Sequence, residues 1–233
     1  MEEYKFSSLQ KAPYLELEDY KAPNGINSYF IPMDDDIKIR VCHWMNNSKD
    51  VKGTILLQQG HNEFIEKYYE TIQEFINKNY SIIAFDWRGQ GMSDHQLKDT
   101  HKAFIKDFKR HDKDLSLILK HIKEGSFPEP LIGIGHSMGG CLMLSAFKDH
   151  PDKFSYGILS APMLGFKNER FLRTASSIMN LFKNDTDYLI GSKPNMGIET
   201  PFEKNDLTTD HFRYKRTQEL VRRKPDIRLW GVT

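Results

Sequence analysis

Three continuous apolar runs, residues 54–59, 81–85 and 131–135, each give way to a stretch in which apolar residues recur every three or four positions. This alternation constrains the fold more than any other feature of the chain. Such runs read as strands buried on both faces, the pattern of a parallel sheet with helices on each side. The helical stretches carry Ile65, Tyr68, Tyr69, Ile72, Phe75 and Ile76 up to Asn79, then Phe104, Phe108, Leu115, Ile118, Leu119 and Ile122 up to Gly125, then residues 138–148. A fourth parallel strand is expected at 154–159. Ahead of them, 27–31 and 37–44 are rich in β-branched and aromatic residues and flank Asp34-Asp35-Asp36, which predicts an antiparallel hairpin. Beyond Pro162 the alternation stops. Phe171, Leu172, Ala175, Ile178, Met179 and Phe182 predict one amphipathic helix and 210–223 another, ended by the restriction that Pro225 places on its predecessor. The expected division is a core over 1–163 and a helical cap over 164–233.

Composition removes several function classes. With 33 Lys+Arg against 32 Asp+Glu in 233 residues, there is no basic face for nucleic acid, so none is expected as a partner. No stretch approaches the ~20 apolar residues of a membrane span, and residues 1–20 lack a secretory apolar core, so the expected compartment is the cytosol. Cys42 and Cys141 have no metal-ligand spacing and read as reduced thiols, with Cys141 expected to pack against the sheet.

Chemistry concentrates in Gly135-His136-Ser137-Met138-Gly139, which sits where a buried strand turns straight into a helix, the context of a nucleophile elbow. The turn is tight enough that side chains two before and two after the serine would strike backbone. The helix aims its first N–H groups, that of Met138 among them, at an oxyanion formed on an attacked carbonyl. A dinucleotide-binding reading of Gly133, Gly135 and Gly139 fits poorly, because that fingerprint needs an acid at the end of the next strand, where Leu159-Ser160-Ala161-Pro162 stands. The plain alternative is that the glycines only allow a close strand–helix crossing. His136 flanks the serine, but adjacent residues on a sharp turn point apart. Asp86 and Arg88, with Gly89 and Gly91, suit a tight loop held by local hydrogen bonds better than a catalytic acid.

From about Asn27 onward the chain resembles the α/β-hydrolase family, and within it the bacterial lysophospholipase and monoacylglycerol lipase group, also described as serine aminopeptidase-like hydrolases. The likeness rests on Gly135-His136-Ser137-Met138-Gly139-Gly140, on Asp86-Trp87-Arg88-Gly89-Gln90-Gly91-Met92-Ser93, on Gln59-Gly60-His61-Asn62-Glu63, and on Asn205-Asp206-Leu207-Thr208-Thr209-Asp210 in the cap. It implies an α/β-hydrolase fold, Ser137 as nucleophile, and the backbone N–H groups of His61 and Met138 as the oxyanion hole. Relatives commonly have His-Gly where this chain has Gln59-Gly60, a change that leaves the backbone role intact. Neither metal nor organic cofactor is implied. The implied partner is a small lipid or ester, lysophospholipid or monoacylglycerol, and peripheral membrane contact stays open; the cap stripe Phe171, Ile178, Met179 and Phe182 reads equally as a set of acyl-contacting residues or as a face that simply packs on the sheet.

A serine needs a base, oriented in turn by a carboxylate. In this fold both follow the serine on later strands. After the elbow only His150 and His211 remain. His150 ends the elbow helix about 13 residues on, roughly 20 Å away at 1.5 Å per residue. His211, with Asp206 or Asp210, begins a cap helix. The expectation is therefore that the last two strand–helix units, with the catalytic Asp and His, are missing. Strand 154–159 would then be an exposed edge through which the chain oligomerises. Two functions follow: a serine esterase of lipid type acting through an acyl-enzyme, or a noncatalytic lipid- or partner-binding relative or inactive fragment.

Overall fold

The computed structural model describes residues 8–165, 201–205 and 207–232. Its strands are β1 (Asn27–Pro32), β2 (Lys38–Trp44), β3 (Thr54–Gln58), β4 (Ser81–Phe85), β5 (Lys102–Ala103), β6 (Leu131–His136), β7 (Tyr156–Ser160) and β8 (Gly231–Val232). The helices are α1 (Tyr69–Asn77), α2 (Arg110–Glu124), α3 (Met138–Asp149) and α4 (His211–Arg223). Six strands form one sheet in the order β1-β2-β4-β3-β6-β7, antiparallel through β1, β2 and β4 and parallel from β4 to β7. This is the mostly parallel sheet with an N-terminal hairpin that the patterning predicts. β3 and β4 are buried at every position, as strands covered on both faces must be.

Local chemistry sets the element ends. The β1–β2 turn closes through Met33 N–H to Ile37 O at 2.8 Å, with Asp36 at φ +64°. A 3₁₀ turn, Ile65–Tyr68, leads into α1, which stops where Asn79 takes φ +68°. α2 begins later than its apolar stripe suggests. The Asp107 side chain accepts the Lys109 N–H at 3.0 Å and its carbonyl accepts the Arg110 N–H at 2.9 Å, so this turn starts the helix and Phe104 and Phe108 precede it. One cluster of buried side chains joins β1, β2, β4 and β6 to α2 and α3 through Ile39, Val41, Phe85, Trp87, Leu115, Ile118, Leu142 and Met143. A second joins β2, β3 and β4 to α1, and to α4 through Leu220 and Val221.

One further expectation is corrected. Cys141 is half-buried, because its place on α3 lies between the sheet-facing positions Leu142 and Met143 and solvent. After Pro162 the chain adds one short strand outside the main sheet: β8 pairs in parallel with β5, Lys102 opposite Gly231 and Ala103 opposite Val232, a ladder too short to carry a periodic signal. The predicted helix bearing Phe171, Ile178, Met179 and Phe182 lies outside the described residues. Among the described residues, no helix is long and apolar enough to cross a membrane.

Candidate active site

β6 and α3 meet at Ser137, whose backbone takes φ +50° and ψ −115°. A non-glycine residue rarely occupies that region, and here the surrounding bonds hold it. Ser137 N–H donates to Ser160 O at 3.0 Å, and Ser137 O accepts from Cys141 N–H at 3.1 Å and Met163 N–H at 2.9 Å. The flanking glycines are sterically required. A Cβ on Gly135 would lie 2.5 Å from Gly139 O, and one on Gly139 would lie 2.3 Å from Gln58 O. Both obstructions are backbone and cannot swing away. Met138 is the first residue of α3, so its N–H has no intrahelical acceptor.

The loop after β3 lies against this elbow. A Cβ on Gly60 would lie 2.8 Å from Glu63 Oε2 and 3.1 Å from both Ser137 Cβ and His136 Nδ1, so the backbone passes close against the elbow. Gly60 N–H donates to Glu63 Oε2 at 2.9 Å, and Asn62 N–H donates to Gln90 Oε1. Between these two pinned amides, the N–H of His61 has no acceptor among the described residues. The His61 side chain is exposed.

Glu63 organises the loop. Its Oε2 also receives the Tyr68 hydroxyl and lies 2.8 Å from His136 Nδ1, while Oε1 accepts Lys67 Nζ at 2.7 Å. Burial pushes the Glu63 carboxyl up, but its bonds to His136, Lys67 and Tyr68 outweigh this and hold it far below the usual carboxylate range. The same Glu63 contact raises the His136 imidazole above its ordinary value against the opposing effect of burial. His136 is thus committed to Glu63.

Asp86, as expected, is structural, though its partner is not Arg88. Its carboxylate is fully buried and accepts from Arg40 Nε at 2.7 Å, Gln59 Nε2 at 2.8 Å, Ile65 N–H at 3.0 Å and Met92 N–H at 2.8 Å. Arg40 also grips Glu66 at 2.6 and 2.8 Å. Arg88 turns the other way, to Asp114 on α2 at 2.6 and 2.7 Å and to Asp35 at 2.9 Å. Each charge is matched by a partner distant in sequence, in place of the local Asp86–Arg88 pair. Gly91, at φ +56°, has no room for a Cβ because the Asp86 carboxylate fills that space at 2.3 Å.

Neither later histidine reaches Ser137. His150 follows α3 and lies 3.0 Å from Ser116 Oγ on α2. His211 is exposed and packs edge-on to Phe202 with centroids 4.6 Å apart. Asp210 caps α4, accepting Phe212 N–H at 2.8 Å and Arg213 N–H at 3.0 Å. Asp206 lies outside the described residues. Sequence reasoning quoted Glu63 and Asn62 without seeing their roles and missed Arg40; an arginine between Ile39 and Val41 inside a strand was the available signal for the last.

The family described as serine aminopeptidase, S33 matches residues 49–233. The chain belongs to this family. Among curated proteins, lysophospholipase L2 of Escherichia coli (strain K12) is 27% identical over 202 residues, covering 85% of this chain and 58% of that protein. Monoglyceride lipase of Rattus norvegicus is 27% identical over 158 residues, 66% of this chain and 46% of that one. Among solved structures, a soluble variant of monoglyceride lipase from Saccharomyces cerevisiae, in complex with a substrate analog, superposes with TM-score 0.58 at 20% identity over 94% of this chain and 68% of its own. A carboxyl esterase from Bacillus coagulans gives TM-score 0.58 at 16% identity, over 74% and 54%. These structures show the α/β-hydrolase fold, and the family is one of esterase- and lipase-type hydrolases. The chain spans about 58% of the length of the lysophospholipase it matches.

Proposed function

We propose that this chain carries the nucleophile and oxyanion hole of a cytosolic serine hydrolase for carboxylic esters, of lysophospholipid or monoacylglycerol type. The observation that carries the proposal is the Ser137 elbow: a serine at φ +50° between two glycines that admit no side chain, followed at once by the first amide of α3 and approached by the Gly60 backbone. In the reaction, Ser137 Oγ attacks the ester carbonyl, and the amides of His61 and Met138 hold the oxyanion. The alkoxide leaves with a proton, and water then releases the acyl group from Ser137. The base and its orienting carboxylate come from outside the described residues. The named relatives support the substrate class: they are called lysophospholipase and monoglyceride lipase. On this reading residues 164–233 serve as a cap, and Phe171, Ile178, Met179 and Phe182, which lie outside the described residues, are the candidates for contact with the acyl chain.

One observation favours a second reading, a noncatalytic lipid-binding relative: among the described residues no histidine bonds to Ser137. A fluorophosphonate probe separates the two. Stoichiometric labelling of the 233-residue chain that disappears in Ser137→Ala supports the hydrolase, and hydrolysis of lysophosphatidylcholine against monoacylglycerol then fixes the ester. A parent chain that is not labelled supports the binding reading.

A further inference from the structure

The loop that presents His61 is tied to a segment far along the chain. Asn62 Oδ1 accepts the Leu229 N–H at 2.8 Å and Asn62 Nδ2 donates to Leu229 O at 3.0 Å. One side-chain amide therefore satisfies both backbone groups of a residue 167 positions away, as a neighbouring strand would. Asn62 holds φ +59°, a conformation asparagine tolerates better than other non-glycine residues, and this turns its side chain toward Leu229 while its N–H is bonded to Gln90.

Leu229 belongs to a strap, residues 225–232, that is fastened independently elsewhere. Ile227 and Leu229 are buried at 1% and 2% exposure. Trp230 stacks on His101 with centroids 3.4 Å apart, its N–H donates to His101 O at 2.9 Å, and His101 Nδ1 lies 2.9 Å from Arg228 O. The β5–β8 ladder closes the same junction. Of these anchors, Asn62 alone belongs to the active-site loop. The His61 amide is flanked on one side by the Gly60–Glu63 bond and on the other by Asn62, so the Asn62 anchor bears on the orientation of the peptide that would face the oxyanion.

We propose that Asn62 is a positioning residue that docks the 225–232 strap and thereby fixes the direction of the His61 N–H. The proposal rests on the reading of His61 as an oxyanion donor. It gives the strap control over the reactivity of the serine.

The test uses the full chain. Asn62→Gly keeps the left-handed backbone accessible and deletes both bonds to Leu229, while Asn62→Asp keeps the acceptor and deletes the donor. ¹⁵N relaxation should show the His61 and Leu229 amides at the rigid level of about 0.85 in order parameter in the parent and well below it in Asn62→Gly, with Asn62→Asp between. Fluorophosphonate labelling at saturating probe should fall about tenfold in Asn62→Gly with half-saturation unchanged, because a misaimed donor loses part of what a deleted one loses. Should Asn62→Gly fail to fold by circular dichroism, Asn62→Asp carries the same comparison. An ordered His61 amide in the folded variant overturns the coupling. Disorder at His61 with an unchanged labelling rate overturns the positioning role while the hydrolase reading stands. A parent that is never labelled removes the hydrolase reading, and the order parameters alone then decide whether Asn62 couples the strap to the loop.

Discussion

The two edges of the six-stranded sheet are finished differently. Along β1, residues 10–12 add a partial seventh strand: Ala12 N–H donates to Ser28 O at 3.0 Å and Phe30 N–H to Gln10 O at 2.9 Å, and Tyr29 and Ile31 are buried at 3% and 1% exposure. Along β7, Tyr156 and Ile158 stand 66% and 53% exposed. Ser137 directly follows β6, one strand in from the β7 edge, which has no outer strand among the described residues. The half of the site built toward β3 and β4 is fully braced. The half toward β7, where the fold would place an acid and a base, has none among the described residues. Among the described residues, ion pairing thus concentrates on the β3 and β4 side of the serine.

The braced half breaks most severely at Arg40. Arg40→Ala leaves the Asp86 and Glu66 carboxylates, both fully buried, without their cation. Removing one partner of a buried pair costs about 3–5 kcal/mol, a large part of a typical domain's stability. Urea denaturation should show at least that loss, and a variant within 1 kcal/mol of the parent would mean that the network is not what holds the finished side.

Between the halves stands Gly139. In Gly139→Ala the new methyl meets Gln58 O, so β3 and α3 must separate, at about 1–3 kcal/mol. Labelling of Ser137 should fall with it, because the same shift moves the β3 loop that carries His61. Retained stability and labelling would show that the elbow tolerates a wider turn than the contact allows.

What the sequence revealed divides along the same line. β3 and β4 were legible because strands covered on both faces read as unbroken apolar runs, β6 because its run is apolar although every second residue is only half-buried, and the glycine pair was legible because its reason is local. The Arg40–Asp86 contact spans 46 residues and Asn62–Leu229 spans 167, distances at which no periodic pattern couples one position to another. The start of α2 was misread because a polar turn at Asp107 outweighs the apolar spacing of Phe104 and Phe108.

A smaller effect should come from Glu63→Gln. The raised imidazole of His136 stabilises the fold fully below its ordinary value of 6.5, and that contribution fades as pH climbs through the folded value. The lowered carboxyl of Glu63 contributes fully above its ordinary value of 4.5 and fades as pH falls through the folded value. Both are complete between 4.5 and 6.5, so the parent should lose stability on going from pH 6 to pH 9 while Glu63→Gln should not. The difference should stay below about 1 kcal/mol, since the His136 side chain is 40% exposed. An NMR titration of His136 should show its pKa falling toward 6.5 in the variant.

The bare edge should respond least in stability and most in association. Ile158→Lys replaces a side chain that is already half in water, so unfolding free energy should move by no more than about 0.5 kcal/mol. A lysine there does what natural edge strands do: it makes pairing with another strand require burial of a charge. The parent, with Tyr156 and Ile158 on one face of a strand that has no outer neighbour among the described residues, should therefore sediment with increasing mass as concentration rises, and Ile158→Lys should remain monomeric. The paired comparison is what gives the result meaning. A lysine at Ile31, on the covered edge, sits at 1% exposure and should unfold the chain without a specific effect on association. If the parent is monomeric at every concentration, then β7 is not open in solution, and the contrast between the two edges disappears with it.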